Sequence, residues 1–482
     1  MQQDIRYIVR YAGEFGTKDK TTRWKLIHKL ENNIKAGISH RWPKSVEEAC
    51  QIKGSWDKLI INSPVVLKPI LSQTPGISQF YHTDFFEYQT KSELLKIGVK
   101  YFKPLMKGKR FAVRCKTSGL LPFKSNEIDI GIGDQLYTLG KVDLTNPEVT
   151  CFIDAYADHC YLYSNKEKGM GGLPIGSQGK GLCLLSGGFD SSIAAWKMFQ
   201  AGVDMDFVYF DLGGEAQKLC ITNTFFFLRQ HWAHGSKGRL FIVDFQKIML
   251  EILNGRPAFQ NMILKYAFYQ CGEKIAKEEK LSCLISGEAI GQVSTQTLKN
   301  LCALDQINSM AMFRPLCSES KYTIMDMARH IGTHDLAYKG PELCAIAGKG
   351  VTTGTTYRKL MSCVRALNLE CLIDEAVEQR NEYDQYSEKT EVIQASIPEN
   401  VKIIDLRTKD EFSKKSLERS ENIPFNNAIT SFYHWDKNVK YFLVCNVGSQ
   451  SAILANSMLN EDYDVDHLKA GLQAYWTPLH GG

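Results

Sequence analysis

The sequence lacks any long apolar run, since no stretch approaches the roughly 18 consecutive apolar residues that a membrane-spanning helix needs. Its first residues include Asp4 and Arg6 where a signal peptide needs an uninterrupted apolar stretch, so we expect neither secretion nor a membrane partner. None of the 14 cysteines form a C-x-x-C pair, and no His/Cys spacing suits a structural zinc, which predicts that there is no metal site. Cysteines without a secretory signal indicate a reducing compartment, and we therefore expect a cytoplasmic protein.

The composition that remains is that of an ordinary globular protein. The chain has 482 residues, of which 44% are hydrophobic and 23% are charged. This length suggests about three domains.

The net charge of +5 is modest, but its distribution is uneven. From Lys96 to Asn126 there are nine basic side chains and no acid. A run of charge is often only a solvated face, yet a nucleic-acid backbone is the natural partner of such a surface. The candidate contacts are Lys107, Lys109, Arg110, Arg114 and Lys116.

The central chemical motif is Leu184-Leu185-Ser186-Gly187-Gly188-Phe189-Asp190-Ser191-Ser192, an apolar strand followed by a turn and a helix. Two glycines without Cβ let backbone N–H groups close around phosphate oxygens, and the positive end of the helix faces the same anion. The three serines add hydroxyl donors, and Asp190 could hold the Mg²⁺ that accompanies a nucleotide. An ordinary turn has a similar composition, but the position between strand and helix favours a phosphate loop. The Gly-Lys-Ser/Thr end of a Walker loop is absent, and the loop instead resembles that of ATP pyrophosphatases.

Apolar strands and helices alternate after this loop begins. Strands are predicted at 182–185, 207–211, 239–245 and 281–286, and helices at 191–201, 216–232 and 258–279. This alternation predicts a doubly wound parallel sheet with its site at the carboxyl ends of the strands. By that rule Gly213-Gly214 and Gly287-Glu288-Ala289-Ile290-Gly291-Gln292 lie beside Asp190. Lys265 and Lys321 are candidates to neutralise phosphate charge, although single lysines are more often surface residues.

The other regions predict further domains. Residues 1–60 contain a strand at 5–11 and an amphipathic helix, and residues 61–166 show an α+β pattern with a helix at 84–102. A glycine-rich connector at 169–176 leads to the phosphate loop. A polar tether at 376–398 precedes a small α/β domain at 399–482.

A second chemical centre is Cys445-Asn446-Val447-Gly448-Ser449-Gln450-Ser451, which again joins a strand to a helix. Backbone N–H groups and the positive end of the helix would stabilise a thiolate or a terminal persulfide there. A buried structural cysteine is the plainer alternative, but the Cys-x-x-Gly-x-x-Ser spacing favours a reactive thiol.

The chain resembles the bacterial tRNA 4-thiouridine synthetase family, in the long form with a C-terminal rhodanese-like domain. The motifs that carry this resemblance are Leu-Thr-Asn-Pro-Glu-Val at 144–149, Gly-Gly-Leu-Pro-Ile-Gly at 171–176, Ser-Gly-Gly-Phe-Asp-Ser at 186–191, Gly-Glu-Ala-Ile-Gly-Gln-Val-Ser-Thr-Gln-Thr at 287–297 and Pro-Glu-Leu-Cys at 341–344. The resemblance implies a ferredoxin-like unit at 1–60, a THUMP domain at 61–166, a PP-loop ATP pyrophosphatase domain at 177–375, a linker, and a rhodanese-like domain at 399–482.

The resemblance also implies roles for individual residues. The ATP-binding set combines the loop residues Ser186, Gly187, Gly188 and Ser191 with Leu184, Leu185, Lys265, Gly287 and Gln296. Asp190 and Lys321 would assist adenylation of O4 of a tRNA uridine by ATP with Mg²⁺. Sulfur would come from a persulfide on Cys445, loaded by a cysteine desulfurase, and Cys344 would close a disulfide with Cys445. Reductant must then reopen that disulfide.

The resemblance leaves several alternatives open. The long form implies a second role as sulfur donor to a carrier protein for the thiazole of thiamine, and the family also implies a homodimer. Gln450 stands where rhodaneses normally carry an arginine. The competing functions are a PP-loop ligase acting on a small molecule and an RNA-binding protein without activity. The basic N-terminal half speaks against the first, and the presence of Asp190, Lys321 and Cys445 speaks against the second.

Overall fold

The computed structural model describes residues 5–212, 215–336, 352–383, 398, 400–446, 449–459, 461–468 and 471–476. The chain divides into two compact units, the first formed by Met1–Ser39 and Pro43–Leu173 and the second by His40–Trp42 and Pro174–Gly482. Among the described residues, none of the helices combines the length and the apolar character that a bilayer crossing requires.

The first unit contains two five-stranded sheets. Its strands are β1 (Ile5–Tyr11), β2 (Gln51–Gly54), β3 (Lys58–Ser63), β4 (Ile77–His82), β5 (Asp84–Glu87), β6 (Arg110–Thr117), β7 (Lys141–Val142), β8 (Val149–Ala155), β9 (His159–Tyr163) and β10 (Glu167–Gly171). Its helices are α1 (Lys20–Arg41), α2 (Lys44–Ala49), α3 (Lys68–Gln73), α4 (Lys91–Phe102) and α5 (Ser125–Leu136). The strand orders are β10-β4-β1-β3-β2 and β5-β9-β8-β6-β7.

The first sheet extends beyond the predicted boundary at residue 60. Its central strand β1 pairs with β3 on one side and with β4 on the other, and β10 then pairs with β4. The glycine-rich connector therefore begins inside a strand, because Glu167–Gly171 supplies backbone hydrogen bonds to the edge of β4.

The predicted helix at 84–102 is wrong in its first part. Asp84–Glu87 form β5, which pairs antiparallel with β9, and the helix starts only at Lys91. Thr90 caps α4, since its hydroxyl oxygen accepts a hydrogen bond from the Glu93 backbone N–H at 3.2 Å.

The second unit contains a six-stranded sheet built from alternating strands and helices. Its strands are β11 (Lys180–Leu184), β12 (Asp204–Asp211), β13 (Leu240–Asp244), β14 (Leu284–Ile285), β15 (Met312–Phe313) and β16 (Asn381–Glu382). Its helices are α6 (Phe189–Gln200), α7 (Glu215–His231), α8 (Gln246–Leu253), α9 (Gln260–Glu278), α10 (Leu298–Asp305), α11 (Lys321–Ile331), α12 (Tyr357–Val364) and α13 (Leu369–Glu378). The order β15-β14-β11-β12-β13-β16 is parallel except for β16, which confirms the predicted doubly wound sheet.

The core of this sheet explains why its strands are apolar on both faces. Val208 and Val243 are fully buried between helices, and α9 contributes a long row of buried side chains to the same core. The fold continues past residue 375, where the predicted linker begins, because Ala376 and Val377 are buried and β16 follows them. Most of the remaining predicted linker, 384–397, lies outside the described residues.

A four-stranded parallel sheet forms the last part of the chain. Its strands are β17 (Lys402–Asp405), β18 (Ser420–Asn422), β19 (Tyr441–Val444) and β20 (Val465–His467), and its helices are α14 (Lys409–Lys414), α15 (Phe425–Ser431), α16 (Ser449–Leu459) and α17 (Gly471–Trp476). The order β18-β17-β19-β20 places β19, and therefore the cysteine that follows it, in the middle of the sheet.

Candidate active site

The phosphate loop lies at the carboxyl end of β11, in the centre of the six-stranded sheet. The Leu185 backbone N–H donates to the carbonyl of Val208 at 2.9 Å, so the loop leaves the sheet only after Leu185. Gly188 is the N-cap of α6 and has extended backbone, and it offers no side-chain cap. The first N–H groups of α6 therefore lack a side-chain partner from the cap residue and can face an anion.

The serines of the loop differ in what they contact. Ser186 is exposed, whereas Ser191 is buried and its hydroxyl oxygen accepts a hydrogen bond from the Ser186 backbone N–H at 3.0 Å. Ser192 is also buried, and its hydroxyl donates to the Phe189 carbonyl at 2.6 Å and lies 3.0 Å from Thr333 Oγ1. The hydroxyls of Ser191 and Ser192 thus fix the shape of the loop, and that of the exposed Ser186 lies 3.1 Å from the Ser191 hydroxyl.

The loop after β14 packs directly on the phosphate loop. A methyl group on Gly287 would lie 2.5 Å from both the Asp190 carbonyl carbon and the Ser191 nitrogen, so only glycine allows this approach. The side-chain oxygen of Gln296 and the side-chain nitrogen of Gln292 are buried and have no hydrogen-bond partner within the described part of the chain. Buried amide groups of this kind fit a nucleotide, whose base and ribose carry both donors and acceptors.

Lys265 lies on α9 and forms an ion pair with Glu288, the residue that follows Gly287. Its Nζ lies 3.0 Å from Glu288 Oε1, and Arg314 Nε lies 2.9 Å from Glu288 Oε2. Burial alone would raise the pKa of Glu288, but Lys265 and Arg314 outweigh it and lower the pKa to about 2. Glu288 is therefore a charged carboxylate at neutral pH.

Lys321 is exposed at the start of α11, and two contacts fix how α11 runs. Glu319 pairs with Lys197, near the end of α6, at 2.5 Å, whereas Thr333 contacts Ser192, near its beginning. The two helices are therefore antiparallel, and Lys321 lies toward the end of α6 that is farther from the phosphate loop.

His330 and His334 are four residues apart, but they do not share a helix face. Gly332 ends α11 with a φ of +85°, so His334 lies beyond the helix, and its ring stacks on Phe189 with centroids 5.8 Å apart. His330 instead contacts the ring of Trp232 at 6.3 Å. Among the described residues no group of three or more His, Cys, Asp and Glu side chains could hold a metal ion.

Cys445 directly follows β19 and is buried, with 1% of its surface exposed. Its Sγ lies 3.5 Å from the hydroxyl of Ser451, which in turn lies 3.3 Å from His467 Nδ1 on β20. The side-chain amide of Asn446 donates to Glu411 at 2.8 Å and holds the start of the loop. His467 was not expected, because an isolated histidine near the end of a chain carries no local signal. Gly213, Gly214, Cys344, Val447 and Gly448 lie outside the described residues.

The five candidate cations of the first unit lie at its surface. Lys107, Lys109, Arg110, Arg114 and Lys116 are all exposed, whereas the interleaved rings of Phe102, Phe111 and Phe123 are buried in the core. Arg110 pairs with Glu148 at 3.3 Å and with Asp143 at 3.4 Å. The three lysines have no ion-pair partner within the described residues, so they are the cations most available to phosphate groups.

Three family models match the chain. The one described as "Thiamine biosynthesis protein (ThiI)" matches residues 176–369, a THUMP domain matches 88–165, and a rhodanese-like domain matches 388–477. A tRNA sulfurtransferase from Saccharophagus degradans is 29% identical over 480 residues, covering 95% of this chain and 98% of its own. The chain belongs to the tRNA sulfurtransferase family. Another family member, from Colwellia psychrerythraea, is 28% identical over 482 residues with coverages of 95% and 98%.

A solved structure extends the comparison to the fold. The crystal structure of a 4-thiouridine synthetase–RNA complex with bound ATP is 26% identical, with a TM-score of 0.68, and the match covers 79% of this chain and 99% of that chain. The predicted family is therefore confirmed, together with its combination of THUMP, PP-loop and rhodanese-like domains.

Proposed function

We propose that this protein is an ATP-dependent tRNA sulfurtransferase that replaces O4 of a tRNA uridine with sulfur and so forms 4-thiouridine. The observation that carries the proposal is the contact of Gly287 with the backbone of Asp190 and Ser191, since it brings the motif at 287–297 onto the phosphate loop. ATP would supply the adenylyl group that makes O4 a good leaving group, with pyrophosphate as the other product.

Different residues of the phosphate site would bind different parts of ATP. The backbone of Gly187, Gly188 and the start of α6 binds pyrophosphate oxygens, with Ser186 as a hydroxyl donor. Lys265 adds positive charge, and Asp190 holds the Mg²⁺ that accompanies the nucleotide. Gln296 accepts a hydrogen bond from the nucleotide, which would satisfy its buried oxygen. Leu184 and Leu185 provide apolar contact, and the role of Lys321 rests on its motif position.

The sulfur step uses the cysteine of the rhodanese-like domain. A deprotonated persulfide on Cys445 attacks C4 with its terminal sulfur, the C4–O4 bond breaks, and AMP leaves with the oxygen. The Cys344 thiolate then attacks Cys445 Sγ, so that 4-thiouridine is released and a Cys344–Cys445 disulfide forms. A dithiol reductant supplies two electrons and restores both thiols. The Ser451 hydroxyl lies 3.5 Å from Cys445 Sγ and is a polar group beside the proposed persulfide, where Gln450 replaces the usual arginine.

The proposed macromolecular partners are tRNA and a cysteine desulfurase. Transfer RNA binds the exposed cations of β6 and the turn before it, and a cysteine desulfurase loads Cys445. The thirteen described cysteines are all free, which suits a reducing cytoplasm. We also propose a homodimer, as the resemblance implies.

The test is formation of 4-thiouridine in unmodified tRNA by purified protein with ATP, Mg²⁺, cysteine and a desulfurase. Wild type should form the product, and Asp190→Ala, Cys344→Ser and Cys445→Ser should not. The two cysteine variants should still release pyrophosphate, whereas Asp190→Ala should release none. Consumption of ATP by wild type without thiolation of tRNA would instead favour a ligase that acts on a small molecule.

A second role as sulfur donor for the thiazole of thiamine is favoured by the description of the matching family model. The Cys445 persulfide would pass its sulfur to the activated carboxyl terminus of a small carrier protein. Segment 398–482 should then restore growth without thiamine to a deficient strain, and the same segment with Cys445→Ser should not. Failure of the unmodified segment would count against this role and leave the tRNA activity unaffected.

A further inference from the structure

We propose that Glu288 is a positioning residue for ATP binding, because its carboxylate, which Arg314 also holds, fixes Lys265 at the phosphate site. The inference rests on the proposed function, since Lys265 is assigned there as a nucleotide contact. Glu288 itself needs no contact with the nucleotide.

The contacts of Glu288 join three parts of the fold. One carboxylate oxygen pairs with Lys265 on α9 at 3.0 Å, and the other pairs with Arg314, which follows β15, at 2.9 Å. Ser286 donates to that second oxygen at 3.0 Å, and the hydroxyl of Tyr269, also on α9, forms a further hydrogen bond with it. The next residue toward the amino terminus is Gly287, which packs on the phosphate loop. The carboxylate therefore fixes the cation of α9 relative to the loop that must hold the anion.

The burial of Glu288 makes this arrangement rigid. Glu288 is 3% exposed, and the Arg314 side chain is 10% exposed and is held from outside by Asp305 at 2.6 Å. Lys265 is 23% exposed, and its charge is matched by Glu288 at 3.0 Å. A buried carboxylate with two cations is costly to build unless each charge is matched, and removal of the central one leaves two cations facing each other.

A matched residue, Glu273, tests whether the effect of Glu288 is only that of losing a buried glutamate. Glu273 also belongs to this core and lies on α9, where it is 5% exposed. It pairs with Lys277 at 2.5 Å and accepts a hydrogen bond from the Ser309 backbone N–H at 3.1 Å. Its described contacts do not include Lys265 or Arg314, so it controls for the loss of a buried, paired carboxylate on the same helix.

The experiment measures the dissociation constant of ATP with Mg²⁺ by calorimetry, and the unfolding temperature without nucleotide. The proteins are wild type, Glu288→Gln, Glu273→Gln, Lys265→Met and the double variant Glu288→Gln/Lys265→Met. We expect Glu288→Gln to weaken ATP binding roughly tenfold and Glu273→Gln to change it by less than about twofold. In the Lys265→Met background, Glu288→Gln should add little, because Glu288 acts through Lys265.

Each outcome decides the inference. Equal weakening by Glu288→Gln and Glu273→Gln, or the full factor from Glu288→Gln on top of Lys265→Met, would overturn it and leave the proposed function intact. A wild type that does not bind ATP would overturn both. If Glu288→Gln fails to fold, Glu288→Asp replaces it. That variant keeps the charge but cannot reach both cations, so ATP affinity equal to wild type would overturn the inference.

Discussion

The loop between β11 and α6 and the loop between β19 and α16 occupy the same place in their sheets. Each follows a central parallel strand and precedes a helix, and a buried serine in the first turn of that helix contacts the loop. In the first loop the hydroxyl of Ser191 bonds to the loop's own backbone at Ser186. In the second, the hydroxyl of Ser451 lies 3.5 Å from the sulfur of Cys445.

This difference fits the two kinds of chemistry that we propose for the loops. Backbone N–H groups bind pyrophosphate, so the first loop needs a fixed backbone shape, and its serines and Gly287 supply that shape. The proposed persulfide would react at a single sulfur atom, so the second loop would need a polar group at that atom. The same strand-to-helix junction therefore supports two functions, depending on where its hydroxyls are directed.

The largest effect is expected when a side chain is added between the phosphate loop and the loop after β14. Gly287→Ala places a methyl group 2.5 Å from the backbone of Asp190, and one of the loops must move. We expect tRNA-dependent pyrophosphate release to fall about 100-fold, since overpacking of this kind costs roughly 1–3 kcal/mol. Loading of Cys445 with persulfide should not change.

The control for this variant is Gly133→Ala in α5, where an added methyl group meets no atom within 4 Å. Its activity should equal that of wild type, and its helix should become slightly more stable. Pyrophosphate release by Gly287→Ala within about threefold of wild type would mean that residue 287 does not pack on the phosphate loop.

An intermediate effect is expected when the same serine-to-alanine change is made in each loop. Ser451→Ala removes the hydroxyl beside Cys445, so persulfide loading by a desulfurase, followed by mass spectrometry, should fall about tenfold. Ser191→Ala leaves the Ser186 N–H without its acceptor, so the free energy of unfolding should fall by about 1 kcal/mol. The comparison fails if Ser191→Ala slows persulfide loading as much as Ser451→Ala does.

The smallest effect is expected on the basic surface, which we propose as the tRNA contact and which would therefore affect the chemistry at both loops. Lys107→Ala and Lys109→Ala should each weaken tRNA binding a few-fold and reduce the slope of log affinity against log salt by about 1. Both pyrophosphate release and thiolation should decline in proportion. Arg110→Ala should do less, since Arg110 already pairs with Glu148 and Asp143. A larger salt effect for Arg110 than for the lysines would reverse this ranking.

The sequence predicted the parts of the fold that are set by local pattern. The strands of the parallel sheet are apolar on both faces, and the two strand-to-helix loops carry their residue types at fixed spacing. It did not predict β5, because Phe85 and Phe86 extend the apolar pattern of α4 and become a strand only through pairing with β9. Glu288 stands in the motif at 287–297, but its partners cannot be predicted from the sequence, since Lys265 and Arg314 are distant in the chain. His467 beside Ser451 was missed for the same reason.

The short strand β16 has a further consequence, which concerns association between molecules. Without it, β13 would be the edge of the sheet, and Phe241 and Ile242 would present unpaired backbone groups on a strongly apolar strand. β16 occupies those groups, the Tyr383 N–H bonds to the Leu240 carbonyl at 2.8 Å, and Glu382 places a charge 3.7 Å from Arg239. A shortened chain that stopped at the predicted boundary of 375 would expose this edge to the strands of other molecules and aggregate, so any isolated ATP-binding domain should extend through Tyr383.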